Sequence, residues 1–127
     1  MRIVIADDNE MIRRAIATLL AAEPKWEVCG EACDGTDTIA KARELRPDLV
    51  LIDVSMPGKS GLETARTLRQ EMPEIRTLII SDHDATQLLA AAREAGADGC
   101  VDKARAGSDL IGAIKSLGAG TGKPNAA

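Results

Sequence analysis

The spacing of hydrophobic and polar positions changes repeatedly along the chain, and each change predicts a strand followed by a helix. The segment from Arg2 to Ala6 is a short apolar, β-branched run that is typical of a buried strand. Ile12, Ile16 and Leu19 then recur at helical spacing. The same alternation returns four times, with predicted strands at 26–32, 48–53, 75–81 and 98–102 and predicted helices at 36–45, 61–71, 85–95 and 109–117.

Strands that alternate with helices predict one α/β domain, a (βα)₅ three-layer sandwich with a parallel five-stranded sheet between two helical layers. Local signals agree with these boundaries. Ser60 and Glu63 have the spacing of a capping box at the third helix, and Gly96 stands where the fourth helix needs a left-handed residue. Ser108 is predicted as the N-cap of the last helix.

The segment 118–127, GAGTGKPNAA, has no hydrophobic periodicity, and we expect a flexible tail or the start of a linker after a domain of residues 1–117. Its GAGTGK run is one residue shorter than a phosphate-binding loop and has Pro124 where Ser or Thr belongs. We therefore expect no bound nucleotide.

Composition narrows the classes of function. One Trp and no Phe or Tyr among 45% hydrophobic residues imply an aliphatic core. A net charge of −4 without a basic run argues against nucleic-acid binding by this chain. No signal segment and no apolar run of membrane-spanning length are seen, so a cytoplasmic protein without a membrane anchor is expected. The three cysteines form no C-x-x-C pair and the chain has one histidine, so we expect reduced thiols and no metal site at the cysteines.

Polar residues stand where the predicted strands end. Asp7 and Asp8 follow the first strand, Asp53 ends the third, Ser81 ends the fourth and Lys103 follows the fifth. Because the carboxyl ends of parallel strands share one edge of the sheet, these side chains are expected to converge. An interpretation in which Asp8 or Asn9 only caps the first helix remains open.

Three converging carboxylates repel each other, by about 4 kcal/mol for each pair at ~4 Å and an effective dielectric near 20. Oxygen ligands without Cys or His favour a hard cation, and Mg²⁺ is the first choice. A metal opposite Lys103, with the Ser81 hydroxyl between them, would accommodate a transferring phosphoryl group. Asp53 would then be the nucleophile.

These residues together resemble the response-regulator receiver family of two-component signalling, which is CheY-like, over nearly the whole chain. The motifs that carry the resemblance are Asp7-Asp8, L-I-D-V-S-M-P-G-K-S-G around Asp53, Ser81, and G-C-V-D-K ending at Lys103. The resemblance implies a flavodoxin-like strand order of 2-1-3-4-5.

The resemblance also implies roles for the site. Asp53 would be the phosphoacceptor. Asp8, Asp53 and the Ser55 backbone carbonyl would bind Mg²⁺ directly, while Asp7 would act through a water molecule. The phosphoryl group would be contacted by Ser81 and Lys103.

The family receives its phosphoryl group from the phosphohistidine of a sensor histidine kinase or a histidine phosphotransfer protein, and it catalyses only its own phosphorylation and slow dephosphorylation. The motif residues are most similar to those of LuxR/NarL-type receivers, which precede a DNA-binding domain. The resemblance leaves the possibility of a homodimer open. Arg13 and Arg14 are expected on the solvated face of the first helix, near the surface that docks the kinase in the family.

Two positions depart from the family pattern. Cys100 stands where many receivers carry a Tyr or Phe whose ring takes part in the conformational switch. Ala104 follows Lys103, where many receivers have a Pro after a cis peptide bond; a cis bond to Ala would cost ~3 kcal/mol.

Other classes of protein fit less well. A flavin carrier or dinucleotide binder would need a Gly- or Ser/Thr-rich loop after the first strand, where this chain has Asp7 to Glu10. An aspartyl-phosphate hydrolase would need an acid-base group at Ser55. The alternative that remains is a receiver-like interaction module that works without phosphorylation.

Overall fold

The computed structural model describes residues 1–82 and 85–121, in which strands and helices alternate along the chain. The strands are β1 Arg2–Ala6, β2 Glu27–Ala32, β3 Leu49–Asp53, β4 Arg76–Ser81 and β5 Gly99–Asp102. The helices are α1 Glu10–Leu20, α2 Gly35–Leu45, α3 Gly61–Glu71, α4 Ala85–Glu94 and α5 Ala106–Thr121.

The five strands form one parallel sheet in the order β2-β1-β3-β4-β5, which confirms the predicted fold class and strand order. The order reverses between β1 and β3, where one crossover goes to each side of the sheet. Ligands of open α/β sheets bind at such a switch point, beyond the carboxyl ends of the strands.

Helices cover both faces of the sheet, and β3 is therefore buried along its whole length. Its side chains alternate between two aliphatic cores. Val50 and Ile52 belong to the core under α2, α3 and α4, whereas Leu49 and Leu51 belong to the core under α1 and α5. A strand packed on both faces is rigid, so its last residue, Asp53, is held in a fixed place.

Two of the predicted helix ends are confirmed. The Ser60 hydroxyl accepts from the Glu63 amide at 3.2 Å, and the Glu63 carboxylate accepts from the Ser60 amide at 3.1 Å, which completes the capping box of α3. Gly96 follows α4 with φ of 92°, and Ala97 donates to the carbonyl of Ala92, the pattern of a Schellman motif.

The predicted start and end of the last helix were wrong. A single 3₁₀ turn, Lys103–Arg105, leads into α5, and Asp102 caps that turn by accepting from an amide. Ser108 lies inside α5, and its hydroxyl donates to the Arg105 carbonyl at 3.1 Å, so it is not an N-cap. The helix also continues through residues 118–121, since no proline interrupts its hydrogen bonds before Pro124. The rest of the predicted tail, 122–127, lies outside the described residues.

Among the residues that the structure describes, no helix is long and apolar enough to cross a membrane.

Candidate functional site

The parallel register brings the predicted site residues to the same edge of the sheet. Asp53 lies opposite Ile80 in the β3–β4 pairing, and the next residue of β4, Ser81, lies opposite Asp102 in the β4–β5 pairing. β1 ends beside β3 at Ala6, one residue before Asp7. Each polar residue therefore continues a strand that the buried core holds in place.

A glycine lets α3 begin directly against the end of β3. A Cβ atom at Gly61 would lie 2.3 Å from the Asp53 carbonyl oxygen and 2.7 Å from the Val54 Cα, which are closer than any normal contact. Because no side chain separates them, the start of α3 packs directly on the backbone of Asp53 and Val54.

Asp7, Asp8 and Asp53 form an acidic cluster. One carboxylate oxygen from each lies within 4.8 Å of the others. Asp7 and Asp53 are buried, at 1% and 2% exposure, whereas Asp8 is exposed and forms the open side of the cluster. The predicted convergence of the three carboxylates is thus present in the structure.

The β1–α1 loop shows which residue caps α1. The Asn9 side chain accepts from the amides of Met11 and Ile12 at 2.9 and 3.2 Å, and Asn9 in turn donates its own amide to Asp7 Oδ1 at 2.9 Å. Asn9 is the N-cap of α1, so the interpretation of Asp8 as a helix cap is excluded. The Asp8 carboxylate is left to the cluster.

Lys103 places an ammonium group over the buried carboxylates. Its Nζ lies 3.0 Å from Asp7 Oδ2, 3.2 Å from Asp53 Oδ1 and 3.3 Å from Asp82 Oδ1. Burial by itself lowers the pKa of this ammonium, but the carboxylates of Asp7 and Asp53 outweigh burial and raise the pKa above its ordinary value. Lys103 therefore stays charged at any physiological pH.

The pKa of Asp53 is raised above the ordinary value of an aspartate. Burial is the largest cause and the neighbouring Asp7 carboxylate the next; the Ser55 amide, which donates to Asp53 Oδ1 at 3.3 Å, and the Lys103 ammonium both lower it. One lysine thus only partly offsets the crowding of negative charge.

The donor set fits a hard divalent cation. It offers only oxygen atoms, since no Cys or His belongs to the cluster. Asp7 Oδ2 is fully buried and, within residues 1–82 and 85–121, forms an ion pair with Lys103 but no regular hydrogen bond. Oxygen ligands with one open side are how Mg²⁺ is held when water and a phosphate complete its octahedron.

Three other predicted positions have the following surroundings. Ser81 is fully buried at the end of β4. Cys100 lies on β5 opposite Ile79, half-buried against the core under α4; burial and then the Asp102 carboxylate raise the pKa of its thiol. The peptide bond from Lys103 to Ala104 is trans, as are the others in the described part of the chain.

Sequence reasoning missed two contacts of this site. Asp82, the residue after β4, was not predicted as a partner of Lys103. Arg13 was expected to be solvated, but its side chain is only 15% exposed and donates to the carbonyl of Asp7 at 2.6 Å. Arg14, by contrast, is exposed as predicted. In the sequence the two arginines differ only in position: Arg13 lies one helical turn after Asn9, and Arg14 does not.

Comparison with known proteins agrees with this fold and site. Residues 3–115 match the response regulator receiver domain family, and the chain belongs to that family.

The similar curated proteins are LuxR/NarL-type response regulators. The chain is 36% identical over 120 residues to the DNA-binding transcriptional activator DevR/DosR of Mycobacterium tuberculosis, which covers 94% of this chain and 55% of DevR/DosR. It is also 36% identical to the response regulator GacA of Pseudomonas viridiflava over 124 residues, with 94% and 56% coverage. The chain thus spans about half the length of the curated relatives that it matches.

Solved structures show the same architecture. A LuxR-family two-component response regulator from Aurantimonas sp. SI85-9A1 superposes with a TM-score of 0.89 at 34% identity, covering 94% of this chain and 85% of the other. The receiver domain of RcsB from Salmonella enterica serovar Typhimurium, solved in the presence of the phosphomimetic BeF₃⁻, gives 0.86 at 26% identity, with 94% and 89% coverage. The fold is the CheY-like, flavodoxin-like α/β sandwich.

Proposed function

We propose that this receiver domain accepts a phosphoryl group on Asp53 in a Mg²⁺-dependent reaction and thereby controls an output. The observation that carries the proposal is the environment of Asp53: a carboxylate buried to 2% exposure, with the Lys103 ammonium at 3.2 Å and the carboxylates of Asp7 and Asp8 within 4.8 Å. The family membership of the chain supports the same conclusion.

The chemistry follows from these positions. An Asp53 oxygen attacks the phosphorus atom, and the bond from phosphorus to the donor breaks; with a phosphohistidine donor, the electron pair of that bond returns to the imidazole nitrogen. The product is an acyl phosphate on Asp53. Lys103 offsets the negative charge of the phosphoryl oxygens, and the buried Ser81 hydroxyl at the end of β4 would contact one of them.

The same residues would hold the metal. Asp8, Asp53 and the Ser55 backbone carbonyl would bind Mg²⁺ directly, with Asp7 acting through water. When bound, Mg²⁺ supplies the positive charge that lets an anionic phosphoryl group approach three carboxylates. Asp7 is the buried member of this set next to Lys103, and it therefore links the metal side of the site to the lysine side.

A sensor histidine kinase or a histidine phosphotransfer protein is the proposed donor. The site borders an apolar groove of about 370 Å³ between α1 and α5, to which Ile12, Ala15 and Lys103 contribute. A helical partner in this groove would bring its phosphohistidine next to Asp53. The output is proposed to be transcriptional in a longer protein, because relatives such as DevR/DosR are named as DNA-binding activators.

Slow turnover of the acyl phosphate is also proposed, because Ser55 stands where a rapid aspartyl-phosphate hydrolase needs an acid-base group. A serine hydroxyl does not ionise near neutral pH and cannot serve as that base.

Intact mass after incubation with acetyl phosphate and Mg²⁺ tests the proposal against the alternative of an interaction module that works without phosphorylation. We expect the wild type to gain one phosphoryl group, and we expect EDTA or Asp53→Asn to abolish the gain. Glu94→Gln, an exposed carboxyl on α4, serves as the control and should leave the gain unchanged. An unmodified wild type, with this donor and with a phosphorylated histidine kinase, would favour the interaction module.

A further inference from the structure

We propose that Arg13 is a positioning residue for the metal site, and that Glu31 on β2 anchors it. The proposal rests on the proposed function only in assuming that the acidic cluster binds Mg²⁺; it adds a residue outside the acidic cluster that holds the cluster in shape.

The Arg13 side chain joins three elements. Its Nη1 donates to the backbone carbonyl of Asp7 at 2.6 Å, and its Nε donates to Glu31 Oε1 at 2.8 Å. Arg13 itself lies on α1, Asp7 follows β1, and Glu31 belongs to β2. At 15% exposure, the guanidinium is held in this bridge between α1 and β2 and is not a solvated surface charge.

The bridge fixes the backbone that carries two of the three cluster carboxylates. Asp7 is already bound through its amide, which donates to the Ala32 carbonyl at 3.0 Å, and through Oδ1, which accepts from Asn9. Arg13 takes the remaining main-chain group, the carbonyl between Asp7 and Asp8. With that carbonyl held, the peptide plane that precedes Asp8 has a fixed orientation, and the exposed Asp8 carboxylate is directed towards Asp53.

Electrostatics and positioning predict opposite effects of removing Arg13 on Mg²⁺ binding. A guanidinium close to a cation site repels the cation, so removing its charge would tighten Mg²⁺ binding if charge alone mattered. If Arg13 acts by positioning, its removal frees the Asp7–Asp8 backbone and weakens Mg²⁺ binding. The direction of the change therefore separates the two explanations.

Four single variants and one double variant of the chain provide the test. Arg13→Gln removes the bridge, and Arg13→Lys keeps the charge but has no planar fork to reach both partners at once. Glu31→Gln removes the anchor and leaves Arg13 in place. Arg14→Gln is the matched control, because Arg14 is the next residue of α1 but is 75% exposed and pairs with Glu10 on the same helix.

The measurement is the Mg²⁺ concentration at the midpoint of thermal stabilisation, at constant ionic strength. We expect Arg13→Gln to raise the midpoint about tenfold, at the lower end of the effect of residues that orient metal ligands. Arg13→Lys should also raise it, and Glu31→Gln should raise it less. The pair Arg13→Gln/Glu31→Gln should behave like Arg13→Gln alone, because the two act through one contact. Arg14→Gln should match the wild type.

Melting in EDTA establishes that each variant is folded; if Arg13→Gln does not fold, the Arg13→Lys and Glu31→Gln titrations decide. An Arg13→Gln midpoint within twofold of the wild type, or below it, would overturn the positioning role. So would an Arg13→Lys midpoint equal to that of the wild type, or a wild type that Mg²⁺ does not stabilise. A wild type that binds Mg²⁺ but gains no phosphoryl group would overturn the proposed function and leave the Arg13 titration valid.

Discussion

Asp53 is a residue whose charge is costly in the place where the fold holds it. The buried end of β3 and the Asp7 carboxylate raise its pKa, and Lys103 compensates only in part. A native state that binds this proton more tightly than the unfolded chain loses stability as pH rises from the ordinary value of 3.8 through the raised pKa. A further cation bound beside Asp53 would therefore stabilise the charged site beyond what Lys103 supplies.

We therefore expect Asp53→Asn to stabilise the metal-free protein at neutral pH. In EDTA, the difference in Tm between variant and wild type should be small near pH 4 and should grow as the wild-type carboxyl ionises. Lys103 keeps two carboxylate partners in the variant, Asp7 and Asp82, so its burial does not cancel the gain. Thermal unfolding at a series of pH values measures this, with Glu94→Gln as the control. A difference that does not vary with pH would contradict the raised pKa.

At the scale of single residues, the sequence predicted the site residues that end strands. It missed the contacts that a long side chain such as that of Arg13 makes with other elements. The positions of Asp7, Asp53 and Lys103 follow from strand boundaries and from the shared edge of a parallel sheet. The bridge from Arg13 to Glu31 depends on the distance between α1 and β2, which no local pattern encodes. Arg13 looks solvated in the sequence but is 15% exposed in the structure, where it contacts Glu31 on β2 and the carbonyl of Asp7.

The elements are set by signals of different strength. The capping box of α3 surrounds Gly61, the residue at which the helix packs on the backbone of Asp53. Local side-chain to backbone hydrogen bonds define such an end in the sequence itself. This explains why the start of α3 was predicted correctly.

The start of α5 was predicted wrongly for the opposite reason. Ser108 has the residue type of a cap, but the hydrogen bonds of the preceding 3₁₀ turn let the helix begin earlier, at Ala106. At the other end, Gly118 and Gly120 lower helix propensity without ending the helix. Cap residue types predict a helix end only where no adjoining turn continues it.

Ser60→Ala and Ser108→Ala should separate the two serines. Loss of the Ser60 cap leaves the Glu63 amide without its acceptor and should cost about 1 kcal/mol, or about 4 °C in Tm for a chain of this size. Ser108→Ala removes a hydroxyl that donates to the last carbonyl of the 3₁₀ turn, that of Arg105, and should change Tm much less. Thermal unfolding of both variants tests this, and equal losses would show that the cap of α3 has no special role.

At the scale of the whole molecule, the fold holds charges together that would separate in a flexible chain. Two aliphatic cores, one on each face of the sheet, stabilise the strands whose ends carry the acidic cluster. The alternation of strands and helices predicted the parallel sheet between two helical layers, because right-handed crossovers allow few topologies. The strand order itself came from the family resemblance. The sequence pattern did not predict how the conformational switch reaches the output with Cys100 in place of an aromatic ring, because the switch depends on a second conformation.

A ligand that binds only the assembled cluster should stabilise the whole fold. Mg²⁺ at ~100 times its Kd should add about 2.7 kcal/mol to the free energy of unfolding of the wild type. Asp8→Asn removes one carboxylate from the open side of the cluster and should shrink this Mg²⁺-induced shift, while raising Tm slightly in EDTA. Glu10→Gln removes the same charge from the first turn of α1 and should keep the shift. A full shift in Asp8→Asn would argue against Asp8 as a ligand.

The central claim is that Asp53 itself becomes an acyl phosphate, and borohydride reduction of the phosphorylated protein tests it most directly. Reduction converts an aspartyl phosphate to homoserine, which peptide mass spectrometry then locates in the sequence. We predict homoserine at position 53, dependent on Mg²⁺ and absent when the reaction is run in EDTA. Homoserine at another aspartate, or none at all in a protein that has gained phosphate, would contradict the account.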